Sequence, residues 1–433
     1  MKAPTTTGFA LFGAALVAIS YGLARFAFGL FVPSIREELG LSAQVIGTIG
    51  ALPLISFVLA SLVAPFLADR LGARYTALLS GAFGVAGLSL ISLANEPLEL
   101  GTGVFACGIC TGLMMPALTA AMQALINRTL HGRVSSVLNA GTSIGIIVAV
   151  PAVLFLADGW RLAYASFVGL AALGLIATWF FIPSVSAVVP AAAAPPPPIT
   201  ALQWSRLFRL SLFAFAMGFV SAAYWIFAPD LAVNLGALPS GETGWLWLAV
   251  GIAGLGGAIA ADLADRNNPP ITHALMLVML AASLALLAAS PGQILLASFS
   301  ALVFGLAYMT LTGLYLMTGI RLLPGRMSMG PVLPFVACAL GQALGSPIVG
   351  WLVEMVGYAD AFSIFAAVGI AVALLSPLYP RYIDVNDSEP VSEDATGLQA
   401  AYDHQLLAED GAPFRYGVVE LGSDPEPQAR FPE

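Results

Sequence analysis

The sequence predicts an all-α polytopic membrane protein, with twelve transmembrane helices in two pseudo-symmetric six-helix bundles. Three observations predict it. Apolar runs of about 20 residues, the length a helix needs to cross a bilayer's hydrocarbon core, recur from Phe9 to Tyr379. Only 9% of the 433 residues are charged and mean hydropathy is +0.91. Soluble domains average roughly 25% charged residues, so this chain lacks the polar surface to cover itself in water. Finally, segments of the first half return in the second half at a nearly constant offset.

The predicted helices of the first half cover 9–34, 43–66, 75–94, 100–123, 134–157 and 163–182. The apolar run after Lys2 continues past Phe31 without a cleavage site and is read as the first helix, not as a signal peptide. Residues 1–183 form the first bundle. A cytoplasmic linker, 184–207, follows. It contains AAAAPPPP (Ala191 to Pro198), which cannot be helix interior. The second bundle, 208–380, holds helices at 208–235, 243–264, 272–290, 293–320, 329–353 and 360–379. Residues 381–433 are a tail expected to be disordered. Positions 384–433 carry 2 basic and 12 acidic residues, whereas 1–383 carry 14 and 12, so the formal net charge of −8 describes the tail and not the membrane body.

Orientation follows from the bias of Lys and Arg toward cytoplasmic loops. One alternating set of segments holds Lys2, Arg70, Arg74, Arg128, Arg133, Arg206, Arg209, Arg266, Arg321, Arg326 and Arg381; the other holds only Arg36 and Arg161. Both termini are therefore expected in the cytoplasm, which requires an even number of spans.

The repeat has three markers. GLARFAFGLFVPSI (Gly22–Ile35) aligns with GFVSAAYWIFAPDL (Gly218–Leu231), pairing Gly22 with Gly218, Phe31 with Phe227 and Pro33 with Pro229. LADR at Leu67–Arg70 returns at Leu263–Arg266, and Gly141/Gly145 return as Gly341/Gly345. Internal symmetry of this kind is characteristic of secondary transporters.

Leu67-Ala68-Asp69-Arg70-Leu71-Gly72-Ala73-Arg74, between the second and third predicted helices, resembles the signature loop of the major facilitator superfamily. Leu263-Ala264-Asp265-Arg266 takes the equivalent place in the second half, and Gly159-Trp160-Arg161 resembles a further family feature. Pro65 and Ala261 stand where the family's loop usually opens with glycine. Val104 stands where its fourth helix usually has an arginine linked to proton coupling. The resemblance covers about residues 8–380. It implies alternating access by rocking of two bundles around a midplane site lined by helices one, four, seven and ten. Asp69, Arg70, Gly72, Arg74, Asp265 and Arg266 are then a cytoplasmic gating loop, in which Asp69, Arg70 and Arg74 make charge-assisted contacts with helix ends.

Arg25 is the one clearly intramembrane charge. By the repeat it falls near mid-span, with Ser221 as its pseudo-symmetric partner. An unpaired guanidinium there costs at least ~2.5 kcal/mol, so Arg25 is expected to face a watery cavity, where its planar fork suits a carboxylate or phosphate. Tyr21, Arg25 and Phe28 share one helical face. Met115 and Thr119 in the fourth helix, Tyr224 and Trp225 in the seventh, and Tyr308, Thr312 and Tyr315 in the tenth complete the expected substrate lining. Gln342 and Asn139 are weaker candidates.

The carboxylates Asp230, Glu242, Glu354 and Asp360 are read at the outer helix ends, and His131 and His273 in solvated cytoplasmic loops. No phosphate-binding loop of the GxxxxGK[ST] type occurs, and Cys107-Gly-Ile-Cys110, although spaced CxxC, lies within the apolar fourth helix. No catalytic residues, metal or cofactor are expected. Three functions are weighed: a secondary carrier for a small organic anion at Arg25, an efflux carrier for amphipathic drugs or metabolites, and a non-transporting membrane sensor. The expected partners are a small-molecule substrate, the lipid bilayer and a coupling ion, with no nucleic acid. The expected setting is a monomer in the inner membrane of a bacterium.

Overall fold

Lipid offers the backbone no hydrogen-bonding partner, so each crossing must be a helix. The computed structural model describes residues 5–156, 159–182, 198–323 and 329–380, apart from the side chains of 128, 258–267, 329 and 331. Among the described residues, nine helices are long and apolar enough to span a membrane. One of them, Ala43–Leu93, is 51 residues long and breaks at Gly72, where φ 80 and ψ 164 suit glycine. It therefore holds two spans, and Thr243–Asn267 with the shorter Tyr358–Leu374 bring the total to twelve.

In chain order these are α1 Thr6–Leu39, α2 43–71, α3 73–93, α4 Pro97–Leu125, α5 His131–Leu156 and α6 Trp160–Phe181. The second set is α7 Ala201–Asn234, α8 Thr243–Asn267, α9 Pro269–Ala289, α10 Ile294–Leu322, α11 Met329–Val356 and α12 Tyr358–Leu374. The helices run up and down, so residues 5 and 380 share one face of the bundle, here called the terminal face.

Several helix ends differ from their sequence-based placement. The first helix, predicted over 9–34, runs on to Leu39 and stops at the left-handed Gly40 (φ 61). Residues 201–207, expected within the linker, are the first two turns of α7. A capping box starts that helix, with Thr200 Oγ1 accepting from the Gln203 N–H and the Gln203 side chain accepting from the Thr200 N–H. The remaining linker, 184–197, lies outside the described residues, as does the tail, 381–433. His273 is not in a loop: Pro269 and Pro270 open α9, and His273 is fully buried in its second turn.

Close backbone packing fixes each bundle. A methyl group at Gly145 would overlap the Ala18 carbonyl, and one at Gly22 would overlap the Gly145 backbone, so α1 and α5 touch main chain to main chain. In the second bundle Gly341 and Gly345, the counterparts of Gly141 and Gly145, press likewise on the Phe215 and Phe219 carbonyls of α7. Without a hydrophobic driving force between helices in lipid, such small-residue contacts carry association. Gly145→Val is expected to abolish recovery of monodisperse protein in size-exclusion chromatography. Gly169→Val is the control, because nothing lies within 4 Å of its added carbon and its yield should not change.

Two polar ties hold the first bundle at its ends. Arg161 pairs with Glu38 and donates to the Ala94 carbonyl at 2.6 Å, joining α6 to α1 and to the end of α3. At the terminal face, Arg74 donates to the Trp179 carbonyl near the end of α6 and stacks on its ring at 5.0 Å. Asp69 and Arg70 are exposed and form no ion pair among the described residues. The Asp265 and Arg266 side chains lie outside the described set.

Candidate functional site

Within α1, residues Ala18–Phe26 wind more widely than an α-helix, as a π-helix, and the Ala27 N–H reaches back to the Gly22 carbonyl. Wide turns of this kind recur at functional sites. This one carries Tyr21 and Arg25. The Arg25 guanidinium crosses to the other bundle, where Nη2 donates to Gln342 Oε1 on α11 at 3.0 Å. Gln342 in turn donates through Nε2 to the Tyr308 hydroxyl at 3.0 Å and to Ser221 Oγ at 3.3 Å. The guanidinium also lies 5.1 Å from the Phe26 ring and 4.9 Å from the Phe57 ring, in cation–π range. Two salt bridges occur among the described residues, and Arg25 is in neither. Its partners are neutral.

A cavity of about 30 Å³ lies against this group, lined by Arg25, Phe26, Phe28 and Gly29 of α1, Gly50, Pro53 and Leu54 of α2, Ala222, Trp225 and Ile226 of α7, and Gln342 and Ser346 of α11. That volume admits a water or two and no larger solute. Trp225 sits in an aromatic wall with Phe26 (ring centroids 4.4 Å apart), Trp247, Phe304 and Tyr308. Its indole nitrogen is buried and has no hydrogen-bond partner among the described residues.

Of the residues singled out in the sequence, Arg25, Ser221, Tyr308 and Gln342 form one hydrogen-bonded network, with Phe28 and Trp225 on the cavity wall. Tyr21 packs edge-on against Phe57 beside it. The others stand apart. Tyr224 bonds to Ser300 and stacks on Phe304. The Thr119 and Thr312 hydroxyls return to their own helices, on the Met115 and Met309 carbonyls. Tyr315 belongs to a separate cluster, and Asn139 does not line the cavity. The cavity therefore draws on α1, α2, α7 and α11, whereas the lining implied by resemblance was helices one, four, seven and ten.

Two polar clusters escaped sequence reasoning. Asp230, read as an exposed outer-end carboxylate, is fully buried. It accepts from Arg36 of α1, from the Tyr358 hydroxyl of α12 and from Asn234 Nδ2 at 2.9 Å. Its pairing with Arg36 ties the two bundles together on the face away from the termini. Nearby, the Gln44 N–H donates to Glu354 Oε1 at 2.7 Å, and Trp247 Nε1 donates to the Phe26 carbonyl at 3.1 Å. Among the described residues the hydrogen bonds between bundles thus lie at mid-depth or toward that far face. In the second cluster, the His273 ring bonds to Ser376 Oγ at 2.7 Å and to the Tyr315 hydroxyl at 2.9 Å, while Tyr315 donates to the Phe213 carbonyl. It pins α7, α9 and α10 to the turn after α12. His131 sits half-buried at the start of α5, its Nε2 2.9 Å from the Ile126 carbonyl oxygen.

Comparison with known proteins gives a consistent result. A sequence model of the Major Facilitator Superfamily matches residues 14–329. An uncharacterised transporter of Bacillus subtilis (strain 168), YycB, is 30% identical over 150 residues, which is 34% of this chain and 37% of that protein. The chain thus spans little more than a third of that relative's length. Among solved structures, the nucleoside transporter NupG superposes with a TM-score of 0.66 at 14% identity, covering 87% of this chain and 100% of that one. A POT family transporter in complex with a thioalcohol-conjugated peptide gives 0.71 at 15%, covering 86% and 96%. Another, in complex with 5-aminolevulinic acid, gives 0.69 at 14%, covering 87% and 97%. At these identities the likeness is one of fold.

Proposed function

The chain belongs to the major facilitator superfamily and is a multi-pass membrane transporter of a small molecule, and from that premise we propose that its cargo is a small organic anion held by Arg25. One observation carries this reading. Arg25 sits at the contact between the bundles, beside a cavity, with a neutral amide and two aromatic rings for partners and no carboxylate among the described residues. A charge at such depth is costly unless it meets water or a counter-ion. A solute carboxylate supplies that counter-ion and matches the guanidinium fork.

Transport is by secondary-active alternating access, the bundles (1–183 and 208–380) rocking about this site across the linker. The lysine and arginine bias supports a cytoplasmic terminal face, and a bacterial inner membrane suits the Bacillus relative. The arrangement of inter-bundle bonds supports a conformation sealed on the outside. The same aromatic wall also suits an amphipathic efflux substrate, so the test must separate charge from hydrophobicity. Proteoliposomes holding the purified chain are assayed with labelled organic anions, neutral isosteres and lipophilic cations at several imposed pH gradients. Saturable uptake of an anion, competed by other anions and not by cations, is the expected result. Transport confined to cations or neutral compounds rejects the anion site.

A further inference from the structure

We infer that Trp225 supplies a second donor for the cargo, and that the cargo is an organic monoanion with an apolar body. The inference rests on the reading that the cavity at Arg25 is the transport site, and it follows from the hydrogen-bond inventory of that cavity.

A guanidinium has five N–H donors, and one recorded bond, to Gln342 Oε1, occupies Arg25. The Gln342 oxygen is taken by Arg25, and its nitrogen serves Tyr308 and Ser221. Ser346 Oγ donates to the Gln342 carbonyl. The Trp225 indole N–H has no acceptor among the described residues, although the residue is only 5% exposed. Buried donors almost always find a partner, and an orphan calls for a specific explanation. Indole nitrogen donates and cannot accept. Arg25 and Trp225 thus keep unused N–H donors, and a solute that brings acceptors answers them.

The charge of that solute follows from the lining. Among the described residues that line the cavity, Arg25 alone is charged. One carboxylate is neutralised there; a second would be stranded among apolar side chains such as Phe28, Leu54 and Ile226, at a prohibitive desolvation cost. The same side chains favour an apolar body. Phe26, Trp247, Phe304 and Tyr308 pack around Trp225 and fix its ring, and the rocking of the bundles has to widen the cavity of about 30 Å³ before the solute enters.

The test uses benzoate as the probe, with benzamide as its neutral counterpart and phthalate as its doubly charged one, in proteoliposomes of the full chain. Benzoate is expected to compete for uptake, and the other two at least tenfold less well. Trp225→Phe keeps an aromatic ring and removes the N–H. It should raise KM about tenfold while the thermal midpoint stays level or rises, because an orphan donor has gone. Phe304→Leu loosens the same aromatic wall but leaves the N–H in place, and its KM should rise clearly less than that of Trp225→Phe. A Trp225→Phe KM within twofold of the parent, while Arg25→Ala still abolishes uptake, overturns the second donor and leaves the anion site standing. Equal KM increases in Trp225→Phe and Phe304→Leu assign the effect to packing and also overturn it. Phthalate competing as well as benzoate overturns the single charge. Undiminished uptake by Arg25→Ala removes the anion site itself.

Discussion

Replacing Arg25 by alanine is expected to lower anion uptake at least about thirtyfold while the protein remains folded. Truncating one partner of a desolvated, hydrogen-bonded charge pair costs about 2–5 kcal/mol, and every ~1.4 kcal/mol is a factor of ten. The fold pays no comparable penalty. Removing a guanidinium from mid-membrane relieves about 2.5–3.5 kcal/mol of insertion cost, which offsets the donor that Gln342 Oε1 loses. The detergent-solubilised variant should therefore melt at or above the parent temperature. Arg25→Lys keeps the charge without the planar fork and should fall between the two, with a raised KM and measurable turnover. Initial-rate uptake in proteoliposomes, normalised to inserted protein, reads all three. Full activity in Arg25→Ala rejects the site.

The second large effect is expected at Asp230. It receives three donors, from α1, α12 and its own helix, and one of them is the Arg36 cation of the opposite bundle. Asp230→Asn conserves volume and removes the charge. Breaking a buried pair by removing one partner costs about 3–5 kcal/mol, because the remaining charge is left uncompensated. Arg36 is 22% exposed and recovers part of this from water, which leaves about 2 kcal/mol, or roughly thirtyfold, working against closure of the far face. With Cys107, Cys110 and Cys338 replaced and Ile226→Cys placed on the cavity wall, a membrane-impermeant thiol reagent added outside should react at least tenfold faster in the Asp230→Asn background. An unchanged rate rejects the latch.

The spans were legible because lipid imposes a single rule, an apolar helix about 20 residues long, and the glycine pairs were legible because close packing admits few other residues. Helix ends were less so. The first helix was ended at 34, yet the polar residues Arg36, Glu37 and Glu38 continue it to Leu39, where Gly40 turns left-handed. LADR was read as a loop, yet the chain needs only Gly72 to turn. Arg25 could be placed at mid-depth from the repeat. The π-helical stretch around it could not, since no residue type signals a widened turn. His273 and Asp230 were misplaced for one reason: position along a helix was taken as exposure, whereas neighbouring elements, the Ser376 turn and the start of α12, close over them. The orphan N–H of Trp225 is invisible in sequence by nature, being a property of its neighbours.

The bonds between bundles are spread unevenly, from Arg25–Gln342 at mid-depth to Arg36–Asp230 near the far rim. Under the proposed rocking, each bundle would act as a lever with its fulcrum near Arg25. The rims would then separate by the largest distances and the fulcrum by the smallest. A cargo seated at the fulcrum would keep its own contacts while the mouths on either side opened and shut. The Arg36–Asp230 pair, at the end of the long arm, would meet the greatest leverage and let go first.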